Sequence, residues 1–179
     1  DIELISSLEP EIEPVYILGD FGVELVDNGK RAVIVPEKNS IEFGEKLNLV
    51  ENGYVFYAGE ILLSRDFAID RDFSKAVLEL DELDAVLAEI VINGQRLRPL
   101  MFSKRNSIDV TNYVVKGVNS IEIKLISSLR NMFGPLHRED PVWTGPETFY
   151  VIDDTWRESY VLRPLGFRGL RIVLYRETV

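Results

Sequence analysis

The 179-residue chain has no cysteine, which excludes disulfides, thiolate metal sites and cysteine nucleophiles together. It has a single histidine, His137, so a histidine-rich metal site is excluded as well. No apolar run approaches the ~18 residues that a membrane-spanning helix needs. Basic residues are in deficit, with 20 Lys and Arg against 30 Asp and Glu. That deficit is local: residues 1–60 hold 13 acidic and 4 basic side chains, and the remainder is nearly balanced. An acidic surface without a basic stripe repels phosphate backbones and anionic lipid, so neither nucleic acid nor membrane is an expected partner. The sequence also lacks a P-loop, a G-x-G-x-x-G, a G-x-S-x-G and an H-E-x-x-H. Nucleotide, hydride, serine-hydrolase and zinc-protease chemistries lose support accordingly.

What is present is an ordinary globular balance, 46% hydrophobic and 28% charged, in a length that suits one domain. The sequence opens at Asp1 with no Met and no leader-like stretch, the expectation for a piece of a longer protein or for a processed one.

Short alternating runs punctuated by turns fill the chain. In residues 60–70, Ile61, Leu63, Phe67 and Ile69 fall on one face, with Leu62 the exception. Residues 76–80, 84–92, 95–100, 120–127 and 169–175 read as further strands. Asn93-Gly94 lies between two of them, the strongest short hairpin signal, because both central residues need φ > 0. Near the start, residues 15–18, 23–26 and 31–35 read as three more strands, with a turn at Asp27-Asn28-Gly29-Lys30. Helical periodicity is absent apart from one turn within 109–114, capped by Asp109 or Thr111. Regions 37–52 and 134–148 read as the loosest. Many short strands at about ten-residue spacing indicate an all-β protein, an antiparallel sandwich or barrel.

Several segments in order add to this. They are Gly53-Tyr-Val-Phe-Tyr-Ala-Gly-Glu60, Ala76-Val-Leu-Glu-Leu80 and Ala88-Glu-Ile-Val-Ile-Asn-Gly94. Ile108-Asp-Val-Thr111, Lys116-Gly-Val-Asn-Ser-Ile-Glu-Ile123 and Ser127-Ser-Leu-Arg-Asn-Met-Phe-Gly-Pro-Leu-His137 follow. This order resembles the sugar-binding domain, a galactose-binding-like jelly roll, of glycoside hydrolase family 2 and related large hydrolases. The resemblance covers residues 53–137 and extends to 179, and residues 1–52 match weakly. Val15-Tyr-Ile-Leu-Gly-Asp-Phe21 looks like the lead-in seen where such a domain follows a catalytic one. The resemblance implies one β-sandwich domain over 1–179, with the jelly roll proper at 53–179 and strands of 1–52 packed on it. It also implies a parent enzyme whose catalytic domain is the partner. A (β/α)₈ barrel typically needs about 250 residues, so this chain does not contain one.

Carbohydrate modules stack sugar faces on flat rings and hydrogen-bond the hydroxyls. The two tryptophans, Trp143 and Trp156, lie in the turn-rich C-terminal third near Tyr150, Arg157 and Tyr160. They are candidates for such contacts, and closing one end of the core is the alternative. Tyr57, after Tyr54 and Phe56, is a third candidate ring, with alternation in a strand directing at least one of the three into the core. Arg130, Asn131 and His137 form a candidate polar cluster around ligand, with satisfaction of loop carbonyls as the alternative. His137 as a general base lacks an obvious partner. Asp81-Glu82-x-Asp84 and Asp153-Asp154 read as solvated turns. No cofactor is expected; the resemblance implies room for a structural Ca²⁺, since galactose-binding-like sandwiches often hold one, and oxygen ligands are plentiful although no EF-hand pattern exists.

Three functions remain open. A carbohydrate-contacting or cleft-bordering accessory domain predicts an exposed aromatic in a groove. A purely structural domain of the same enzyme predicts an exposed apolar patch fit for protein. A stand-alone sandwich glycanase or lyase predicts acidic groups converging in a deep cleft.

Overall fold

Alternating apolar residues should fold into strands, and a computed structural model places them for residues 17–38, 40–101, 105–139, 145, 148 and 153–176. β1 (Phe21–Val26) and β2 (Arg31–Pro36) form an antiparallel hairpin. Its turn takes three consecutive left-handed residues, Asp27, Asn28 and Gly29, at φ of 53°, 56° and 79°. These residue types tolerate that region best.

The rest builds two antiparallel sheets. One runs β4 (Glu60–Ile69), β10 (Gly117–Ile126), β6 (Leu87–Ile92), β7 (Gln95–Arg96), with β8 (Leu100–Met101) also on β6. The other runs β3 (Leu47–Asn48), β11 (Gly166–Tyr175), β5 (Lys75–Asp84), β9 (Arg105–Asp109). The long strands alternate, so one face of each sheet is apolar. Leu63, Ile90 and Ile123 from the first sheet meet Leu78, Leu80 and Phe167 from the second in a shared core. The fold is therefore an antiparallel β-sandwich, and among the described residues neither sheet closes into a barrel. Leu62 is 65% exposed, as its place on the polar face requires.

Among the described residues, two backbone hydrogen bonds tie the hairpin to the rest. Val23 N–H donates to Gly53 O at 2.9 Å, and Tyr160 N–H donates to Gly29 O at 2.8 Å. The latter contact sits beside a Lys30–Glu158 ion pair.

Several expectations need correction. The stretch 84–92 is not one strand: Asp84 ends β5, and Ala85-Val86 crosses to the other sheet, where Val86 N–H bonds Ile126 O. The return after Asn93-Gly94 ends as a strand at Arg96, although Leu97 N–H still donates to Ile90 O at 2.8 Å, and β6 is paired again at Leu100, beyond Pro99, which offers no ladder N–H. Ile17 and Leu18 belong to no strand, and Val15 lies outside the described residues. Tyr54, Phe56 and Tyr57 sit in a loop, so strand alternation does not sort their rings. β3 falls inside a region that reads as loose.

Asp81, Glu82 and Asp84 are not a turn but the end of β5, and all three face arginine. Arg171 lies 3.0 Å from Asp81, and Arg168 lies 2.9 Å from Glu82 and 3.5 Å from Asp84. Glu82 is left-handed at φ 46° within this strand. Inward residues of β5 accordingly change parity there, from Leu78 and Leu80 to Leu83. Opposite it, β11 makes the same change between Leu170 and Phe167.

Candidate functional site

The single turn of helix α1 (Arg130–Phe133) and the loops after it pack over one end of the sandwich. Backbone bonds zip residues 136–139 to 155–161. Arg157 N–H donates to His137 O at 2.7 Å, Glu139 N–H to Thr155 O at 3.0 Å, and Val161 N–H to Leu136 O at 2.6 Å. This pairing sets four rings in a row. Phe56 meets Tyr160 edge-on at 5.2 Å, Tyr160 meets His137 at 4.9 Å, and His137 stacks near Trp156 at 6.1 Å. Nδ1 of His137 lies 3.1 Å from Arg157 O and 3.3 Å from Ser159 O. Both partners only accept, so Nδ1 carries the proton and donates.

The remaining predicted residues separate. Asn131 is buried and grips Arg163 twice: Nδ2 donates to the carbonyl at 2.7 Å, and Oδ1 accepts from the N–H at 2.8 Å. Arg130 reaches Arg138 O at 3.4 Å. Both thus satisfy loop carbonyls. Trp143 and Tyr150 lie outside the described residues. Tyr57 anchors its hydroxyl on Glu60 O at 2.8 Å and sets its ring edge-on to Tyr54 at 5.5 Å.

Two concavities flank Tyr57. The larger is an open groove of about 700 Å³ between the β1–β2 hairpin and the aromatic loops. Tyr54, Phe56, Tyr57 and Tyr160 line it with Leu18 and Ile34. Leu18 is 78% exposed and Ile34 51%. Burial, then Glu37, pushes the Tyr54 phenol upward, and Tyr54 Oη lies 3.4 Å from Glu37. The smaller, about 500 Å³, lies where β5, β10 and β11 have their ends. It collects Tyr57 and Asn131 with Asp84, Ser127, Arg163 and Arg168. Of these, Asp84 reads from sequence as a turn, and nothing local singles out Ser127 or Arg168. Among the described residues, no three His, Asp or Glu side chains converge as metal ligands, and no helix is long and apolar enough to cross a membrane.

The C-terminal loops also carry a charge clamp. Arg157 forks onto Glu139 at 2.7 and 3.0 Å, and Arg138 pairs with Asp153. Hydrogen bonds from Thr155, then Arg138, hold the Asp153 carboxyl below its ordinary value, and Thr155 side-chain and backbone hydrogen bonds do the same for Asp109. A carboxyl depressed in the folded state stabilises above its unfolded value and loses that contribution as pH falls through the folded one. Thermal melting should therefore move down as pH drops below about 4. Asp153→Asn should flatten part of that slope, and an unchanged slope would remove the clamp from the explanation.

No protein-family model matches the sequence, and no curated protein matches it significantly. Solved structures do. A rhamnosidase from Novosphingobium sp. PP1Y aligns at 19% identity and TM-score 0.48, covering 93% of this chain and 16% of that one. A GH2 β-galacturonidase from Eisenbergiella tayi bound to glycerol aligns at 14% and 0.40, covering 64% and 18%. A Bifidobacterium dentium β-glucuronidase complexed with coumarin-3-O-glucuronide aligns at 21% and 0.38, covering 42% and 13%. The chain thus spans under a fifth of each of these glycoside hydrolases, at a level of likeness where activity does not transfer.

Proposed function

We propose that this chain is a non-catalytic, galactose-binding-like β-sandwich domain of a larger glycoside hydrolase, and that its apolar groove seats another part of that enzyme. The motif order across residues 53–137 and the antiparallel sandwich support the family. One observation carries the role: exposed Leu18 and Ile34 share a single groove with the rings of Tyr54, Phe56, Tyr57 and Tyr160. Contiguous exposed apolar surface of this kind marks a contact site. Sugar recognition by the groove is less well supported, because hydroxyls need matched polar groups and the walls offer mainly aliphatic side chains and rings.

Hydrogen exchange tests this. Amides of residues 17–23, 32–35 and 37 should exchange more slowly in the longer enzyme carrying this chain than in the isolated chain. Ile34→Glu should abolish the difference. Equal exchange in both forms would overturn the groove contact.

A further inference from the structure

The smaller concavity has the opposite character. Leu83 and Leu165 are buried at its floor, and Tyr57 forms a wall. Its polar groups arrive from separate strand ends: Asp84 closes β5, Ser127 follows β10, and Arg168 lies near the start of β11. Asp84 Oδ2 and Arg168 Nε stand 3.5 Å apart, so an acceptor and a donor sit side by side. Arg168 also pairs with Glu82 at 2.9 Å. A guanidinium has five N–H donors in a fixed fork, and these two partners do not exhaust it. Ser127 Oγ accepts from Gly59 N–H at 2.8 Å, which leaves its own proton to donate elsewhere.

The walls are held in place before any ligand arrives. Ser127 and Gly59 bond each other twice, the second bond running from Ser127 N–H to Gly59 O at 3.0 Å. Asn131 fixes the Arg163 backbone. Glu82, two residues before Asp84, holds the left-handed φ that turns Leu83 into the floor. Strain of this kind in a non-glycine residue gathers at functional positions. Burial also raises the Asp84 carboxyl from its ordinary value, with Arg168 opposing.

We infer that this end pocket, built on Tyr57, Asp84, Ser127 and Arg168, binds a neutral sugar through a pair of adjacent hydroxyls. One hydroxyl donates to Asp84 and its neighbour accepts from Arg168, while the C–H face of the ring packs on Tyr57. An anionic ligand is disfavoured, because Asp84 and Glu82 offset the charges of Arg163 and Arg168 and leave no net positive charge to attract it. Carbohydrate as the ligand class rests on reading the chain as part of a glycoside hydrolase.

The test is a titration of the ¹⁵N-labelled chain, followed by amide shifts, with D-galactose, L-rhamnose and cellobiose, and with sodium glucuronate as the anionic probe. At least one neutral sugar at millimolar concentration should shift the amides of Tyr57, Asp84, Ser127 and Arg168. Asp84→Asn and Arg168→Ala should each weaken that binding about tenfold or more. Arg168 is exposed, so Arg168→Lys keeps the fold and the charge but loses the fork, and it should weaken binding too. No shift with any neutral sugar, shifts that survive the substitutions, or tighter binding of glucuronate would each overturn the assignment. The groove contact fails separately. Sugar shifts without slowed exchange at 17–37 would sink that contact alone, and slowed exchange without sugar shifts would sink the pocket alone.

Discussion

Asn119→Ala should destabilise the chain by roughly 3–4 kcal/mol, read as a lower urea midpoint at unchanged slope. Asn119 is 1% exposed at the start of β10 and makes four hydrogen bonds. Its Oδ1 accepts from Val115 N–H and from Asn93 Nδ2, both at 2.8 Å. Its Nδ2 donates to Val115 O at 2.8 Å and to Gly117 O at 3.0 Å. One amide therefore holds the 110–117 turn onto the Asn93-Gly94 hairpin, where Asn93 in turn caps Tyr113 O and Ser120 N–H. Alanine leaves buried donors and acceptors without partners, and each such loss costs more than a solvent-facing bond. Asn119→Asp separates the two halves of the network. A carboxylate keeps both acceptor bonds but faces the carbonyls of Val115 and Gly117. Burial and those carbonyls would raise its folded pKa, so its penalty should shrink as pH falls through that raised value. An Asp variant with no such recovery at low pH would mean that the carbonyls are satisfied by water instead.

The parts of this fold that could be read in advance share a physical cause. β4 and β10 stand out because one side of each faces the core and the other faces water, as with Ile121, Ile123 and Leu125 against Glu122 and Lys124. The Asn93-Gly94 turn stands out because φ of 49° and 77° admits few residue types. By contrast, β9 has the sequence Arg-Asn-Ser-Ile-Asp and buries only Ile108, so it carries almost no alternation signal. The crossing at Ala85-Val86 has neither Gly, Asn nor Pro and so shows no turn signature. The ring row was half legible. Trp156 and His137 stand out by rarity, but their stacking depends on backbone pairing between 136–139 and 155–161, which no local pattern announces. The end pocket was nearly invisible. Asp84, Ser127 and Arg168 are far apart in sequence and meet only because three strands end together.

Gly166→Ala should cost roughly 3–5 kcal/mol, and it connects stability to that pocket. Gly166 opens β11 at φ +147°, a region that L side chains rarely adopt. An added Cβ would stand 2.1 Å from Leu47 O, which is backbone and has no rotamer to give. Gly166 pairs there with Asn48, while on its other side it pairs with Asp84. A methyl group must therefore push β3 away or shift the start of β11, and β11 carries Arg168. Gly94→Ala is the matched control, with φ +77° but nothing within 4 Å of its new Cβ, so it should cost only about 1 kcal/mol of backbone strain. Urea unfolding of the two variants separates strain from collision. A clearly larger loss for Gly166→Ala, accompanied by amide shifts at Asp84 and Arg168, would place the close approach of β3 and β11 among the supports of the pocket. Equal losses would leave only strain at both sites, and the pocket's geometry would then depend on Asn131 and the Gly59–Ser127 bonds instead.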